Sequence, residues 1–149
     1  MSLQLVETRI LVIADKTCPC GDLHEQVVKS AEGTAADVLI VAPALNSRLR
    51  HYLSDTDGAI RAAERRLATA IAELANLGLV ARGAVGDADP IQAIDDTLAE
   101  FAAHEIVIST HPEEHSHWLE RNLVFRARER FEVPITHVVS WYGAPLAAA

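Results

Sequence analysis

The chain has 149 residues, half of them hydrophobic and only 5% aromatic, and a formal net charge of -8. That length suits one domain around one core. The acidic balance excludes a general nucleic-acid binder, which needs a basic face to release counterions, and equally a protein held on an anionic membrane surface.

Arg9 to Asp15 (RILVIAD) is a continuous apolar run closed by an acid. Such runs suit strands buried on both faces. Gly21 to Glu32 reads as a helix with Leu23, Val27, Val28 and Ala31 on one side, and Asp37 to Pro43 (DVLIVAP) is a second buried strand. Asn46 to Leu53 is a polar, basic loop. The longest helix then runs from Thr56 or Asp57 to Asn76, with Ile60, Ala63, Leu67, Ile71 and Leu74 stepping by three and four. Gly78 ends it, because glycine takes the left-handed conformation that a helix C-terminus favours.

Leu79 to Val85 reads as a third strand with weaker alternation. Asp89 is an apt N-cap and Pro90 an apt first helical residue, since the N–H that proline lacks is not needed there. Ile91, Ile94, Leu98 and Phe101 continue at helical spacing. Glu105 to Thr110 (EIVIST) is a fourth buried strand, Ser116 to Phe131 a last helix, and Val133 to Ser140 a fifth strand. Strand and helix alternate throughout. This predicts a single Rossmann-like α/β domain: a doubly wound, five-stranded parallel sheet with helices on both faces, joined by right-handed crossovers. The core spans about residues 7 to 140, and the tail 143–149 has nothing to pack against.

Cys18 and Cys20 are too few and too close for a disulfide framework, which points to a reducing cytosol. The N-terminus lacks the layout of a signal peptide, and no stretch is long and apolar enough to span a bilayer.

In open parallel sheets, ligands bind beyond the carboxyl ends of the strands where the strand order reverses. The candidates are therefore Asp15 and Lys16 after the first strand, Ala42, Pro43, Ala44 and Asn46 after the second, Gly86 after the third, and Ser109, Thr110 and His111 after the fourth. Arg48 and Arg121 could add positive charge for an anion. The segment Ser109 to Asn122 (STHPEEHSHWLERN) admits several readings. Thr110 and Glu113 fit a capping box at a helix start. His111, Glu114 and His115 fit H-x-x-E-H, the inverted zinc-protease spacing, without the rest of such a site. Cys18, Cys20, His111 and His115 together would make a Cys2His2 zinc set, although C-x-C is tighter than the usual knuckle. There is no Walker loop and no nucleophile elbow, so turnover has little to rest on.

The phrases Ile10 to Lys16 (ILVIADK), Val85 to Ile94 (VGDADPIQAI), Ile106 to Thr110 (IVIST) and Val133 to Val139 (VPITHVV) resemble the universal stress protein family over roughly residues 7 to 140. The resemblance implies strand order 3-2-1-4-5 and an adenine-nucleotide pocket of the ATP or AMP type, with Asp15 near the adenosine and the backbone of Ala42 to Ala44 beside it. Family members cradle phosphate in a glycine-rich loop, Gly-x2-Gly-x9-Gly-Ser/Thr. Here its glycines would fall around Glu113, Glu114 and Arg121, which marks a divergent branch and favours an adenosine ligand with a shorter anion. The resemblance also implies a cytosolic stress-response protein acting by binding, and a homodimer formed through the edge strand, with Ile135, His137, Val139, Trp141 and Tyr142 at the interface. The alternative is an interaction module with no small ligand.

Overall fold

A computed structural model describes residues 7–14, 21–32, 35–45, 55–110 and 122–139. The elements are β1 (Glu7–Ala14), α1 (Gly21–Ala31), β2 (Ala35–Leu45), α2 (Asp55–Asn76), β3 (Ala81–Asp87), α3 (Pro90–Leu98), β4 (Glu105–Thr110), α4 (Leu123–Arg130) and β5 (Ile135–Val139). The five strands pair in one parallel sheet of order β3-β2-β1-β4-β5, the order the family resemblance implies.

β1 is central, and Ile10, Leu11, Val12 and Ile13 are each at most 1% exposed. Successive side chains on a strand point to opposite faces, so one short run feeds two cores. Ile10 and Val12 join Leu23 and Val27 of α1, Leu67 and Leu74 of α2, and Val38 and Ile40 of β2. Leu11 and Ile13 join Ile94 of α3, Leu123 and Ala127 of α4, and Ile106 and Ile108 of β4. This two-sided burial is why the strands read as unbroken apolar runs rather than alternating ones.

Local chemistry sets several boundaries. Gly78 has φ 86. It donates to Ala75 O while Leu79 donates to Leu74 O, the paired bonds that close a helix through a left-handed residue. Asp89 accepts from the N–H of Ile91 at 3.0 Å and Pro90 opens α3. Several boundaries differ from the sequence reading. β3 lies two residues later at each end, from Ala81 through Gly86 and Asp87. α3 stops at Leu98, and Phe101 packs into the core from the turn beyond it, its N–H bonded to Thr97 O. The last helix begins at Leu123, because Asn122 stands at φ 54, ψ 40 and an α-helix cannot run through a left-handed residue.

At the amino edge of the sheet the long-range contacts are polar. Glu105 accepts from Ser30 of α1 at 3.1 Å and from Thr136 of β5 at 2.6 Å. Arg9 donates through its backbone N–H to His104 Nδ1 and through its guanidinium to Ala102 O. These bonds fix β1 against β4 at the end opposite the candidate site.

Candidate functional site

The strand order reverses between β1 and β4, where Ala14 lies opposite Ser109. The helices that follow these two strands pack on opposite faces of the sheet, the arrangement in which open parallel sheets bind ligands beyond the carboxyl ends. On the β4 side Ser109 and Thr110 are both fully buried. Thr110 Oγ1 lies 2.7 Å from His137 Nε2 of β5, so hydroxyl and imidazole share a hydrogen bond. Burial, and then the nearby Arg128 guanidinium, hold the His137 pKa below its ordinary value. The imidazole is therefore neutral at pH 7, and its bond orients the Thr110 hydroxyl toward β5.

This pair was not foreseen from the sequence, which assigned His137 to a dimer interface. Strand parity is the signal that could have found it. His137 lies two residues beyond Ile135, whose side chain belongs to the α3–α4 core with Ile106 and Ile108. Thr110 continues that same side of β4.

On the β2 side, Ala42 is buried and Pro43 half-buried. Pro43 pairs with Gly86 and Leu45 with Asp87, so two residues of β2 follow where β3 has one. A proline in a central strand supplies no ladder N–H, and the irregularity directly after it re-aims the strand end at the candidate site. Ala44 lies within this irregular step. Gly86 faces the α3 side: a Cβ there would stand 2.8 Å from Val41 Cγ1 and 3.2 Å from Ala93 Cβ. Its missing side chain is thus what lets α3 close on the sheet.

The structure accordingly brings Ser109 and Thr110 to the end of β4 next to β1, and Ala42, Pro43 and Gly86 to adjoining ends of β2 and β3. Asp15, Lys16, Asn46, Arg48, His111 and Arg121 lie outside the described residues, as do Cys18, Cys20, His115, Trp141 and Tyr142. Among the described residues no three His, Cys, Asp or Glu side chains gather as a metal site, and no helix is long and apolar enough to cross a membrane. Of the proposed edge residues, Val139 is exposed and Ile135 half-buried.

A second concavity, not anticipated from the sequence, lies on the α3 face over β2 and β3. It encloses about 280 Å³. Leu39, Val41, Ala84 and Phe101 give it an apolar floor, and Asp87, Asp96 and Glu100 are its carboxylates. At one side Arg82 stacks 5.7 Å from the Phe101 ring centroid and pairs with Asp37 at 3.1 Å.

One further buried polar group stands away from both places. His24 of α1 is 5% exposed, and its Nδ1 lies 3.0 Å from Glu73 of α2. Its Nε2 has no hydrogen-bond partner among the described residues. Burial lowers its pKa, and the Glu73 carboxylate opposes this with the smaller effect.

Sheet order and two-sided burial define a Rossmann-like α/β domain. No family model and no curated protein matches the sequence. Solved structures do match in three dimensions. A universal stress protein from Archaeoglobus fulgidus aligns at TM-score 0.65 and 18% identity, over 88% of this chain and 93% of that one. A universal stress protein family member from Burkholderia pseudomallei aligns at 0.63 and 14%, over 89% and 96%. A third, from Arabidopsis thaliana and solved with AMP bound, aligns at 0.59 and 12%, over 89% and 92%. The chain has the universal stress protein fold.

Proposed function

We propose that this single domain binds an adenine nucleotide or smaller adenosine ligand at the carboxyl ends of β1, β2 and β4, acting by binding rather than turnover. The observation that carries the reading is the reversal of strand order between β1 and β4, with Ser109 and Thr110 buried at the carboxyl end of β4. The AMP held by the Arabidopsis protein of the same fold supports the ligand class. Asp15 and Lys16 would meet the adenosine, and the backbone of Ala42 to Ala44 would flank it. Arg48 and Arg121 would meet the anion, with Asn46, Gly86 and His111 completing the surround.

Glu113 and Glu114 stand where the family's loop has glycines. Carboxylates near a triphosphate repel it, by about 1 kcal/mol per pair of unit charges at 4 Å in water and about 4 at an effective dielectric of 20. AMP and adenosine should therefore bind at least as well as ATP. Calorimetry with ATP, ADP, AMP and adenosine tests this directly. Heat with AMP or adenosine supports the reading; no heat from any of them at millimolar concentration, with the protein folded, overturns it.

The wider reading is a cytoplasmic stress-response protein that forms a homodimer through the outer edge of β5, where Val139 is exposed. A second functional reading, a dimeric interaction module without a small ligand, is favoured by one observation. The Thr110 hydroxyl already has a partner in His137. The same calorimetry separates the two.

A further inference from the structure

α4 carries its largest apolar side chain on the wrong side for a core. Leu123, Val124 and Ala127 face inward, whereas Phe125 is 62% exposed. At 100° per residue Phe125 points almost directly away from the buried stripe. Beside it stand Arg126 and Arg128, both exposed, the latter also donating to Ile135 O, with Glu129 one turn further on; Arg130 lies on the flank toward α3. A protein of net charge -8 thus presents an exposed aromatic side chain between two arginines on this helix.

The complement of that surface lies on the same face of the molecule. The cleft over β2 and β3 has an apolar floor and three carboxylates, Asp87, Asp96 and Glu100. α3 separates the two features. Its Asp96 lines the cleft, while the adjoining Asp95 pairs with Arg130 of α4 at 3.3 Å. Cleft and helix lie on opposite flanks of one straight element. A two-fold axis running along α3 would therefore set α4 of each copy over the cleft of the other, a self-complementary arrangement.

We infer that a second copy of this chain docks here, with Phe125 of each copy entering the cleft of the other and its flanking arginines facing the carboxylates. The α4 surface supplies both things the cleft calls for: a large apolar group for the floor and positive charge for the rim. A central aromatic anchor ringed by matched charge is the usual anatomy of such a contact. The interface is separate from the β5 edge. Pairing through β5 as well would give a larger assembly rather than a competing one.

The test is a charge exchange followed by sedimentation velocity on the full chain. Arg126→Glu alone and Asp96→Arg with Glu100→Arg alone should each weaken association and halve the observed mass. Phe125→Ala should do the same, raising the dissociation constant roughly tenfold or more, the loss typical for removal of a central aromatic. All altered side chains are at the surface, and unchanged circular dichroism will show that the fold persists. An equimolar mixture of the two charge variants should recover the wild-type mass, because each α4 then meets a cleft of opposite sign. A wild-type chain that stays monomeric up to high micromolar concentration overturns the inference. So does an assembly that none of these variants changes, or variants that dissociate but fail to recombine on mixing.

Discussion

Replacing Gly86 with alanine would force α3 and β2 apart. The added Cβ would sit 2.8 Å from Val41 Cγ1 and 3.2 Å from Ala93 Cβ. Comfortable carbon contacts lie near 3.5–4.0 Å. Neither neighbour can swing aside. Val41 is 1% exposed and β-branched, so its rotamer is stiff, and the Ala93 methyl has no rotamer to change. Overpacking of this kind costs about 1–3 kcal/mol. Loss of chain freedom in the unfolded state offsets about 0.5–1 kcal/mol of that. The net is a destabilisation of up to about 2.5 kcal/mol, or a fall in Tm of up to roughly 10 °C for a domain of this size. Urea and thermal denaturation measure it, with an unchanged m-value to show that two-state unfolding is intact. Gly58→Ala is the internal control. That glycine lies in α2 with nothing within 4 Å of a built Cβ, and the substitution should stabilise by up to about 1 kcal/mol. Should Gly86→Ala leave stability unchanged and instead abolish nucleotide binding, Gly86 serves ligand approach and the packing argument fails.

Asp89→Ala should cost about 1 kcal/mol by removing the cap on the Ile91 N–H, whereas Asp89→Asn should retain most of it; chemical denaturation of the pair checks this. The two histidines with lowered pKa values, His24 and His137, make stability depend on pH with one sign. Above pH 6.5 both are neutral folded and unfolded, and the profile from these groups is flat. Below it the unfolded chain takes up protons that the folded one does not, so stability falls until the depressed folded values are passed. Urea midpoints between pH 7.5 and 5 should show this fall, and a shallower one in His24→Phe. A profile that rises over that range would count against the buried, neutral His24.

Much of the architecture is written in local pattern. The strand runs at Ile10–Ile13 and Ile106–Ile108 are legible because each residue is buried whichever face it takes. The Asp89–Pro90 start and the Gly78 stop are legible because capping is decided within a few residues. What escapes is what depends on partners far along the chain. Phe101 continues the apolar spacing of α3 but packs from a turn, since helix period and core contact agree there without a continuous helix. Asn122 interrupts an otherwise helical pattern by a backbone choice that side-chain periodicity does not record. The Thr110–His137 bond joins strands 27 residues apart in sequence, and the acidic cleft draws on β2, β3 and the far end of α3. Neither has a motif. The candidate site was legible in its location, through the topology rule, and in the burial expected at the end of β4. Its polar detail required the register.

The middle place of β1 bears on how the chain is made. Arg9 and its partner His104 are 95 residues apart, so one flank of the central strand has no neighbour until β4 leaves the ribosome. At about 5–20 residues per second that interval is roughly 5–20 s, far longer than the collapse of a short chain. The nascent first half therefore carries an open, sticky border throughout, a binding opportunity for a holdase and a hazard at high expression or elevated temperature.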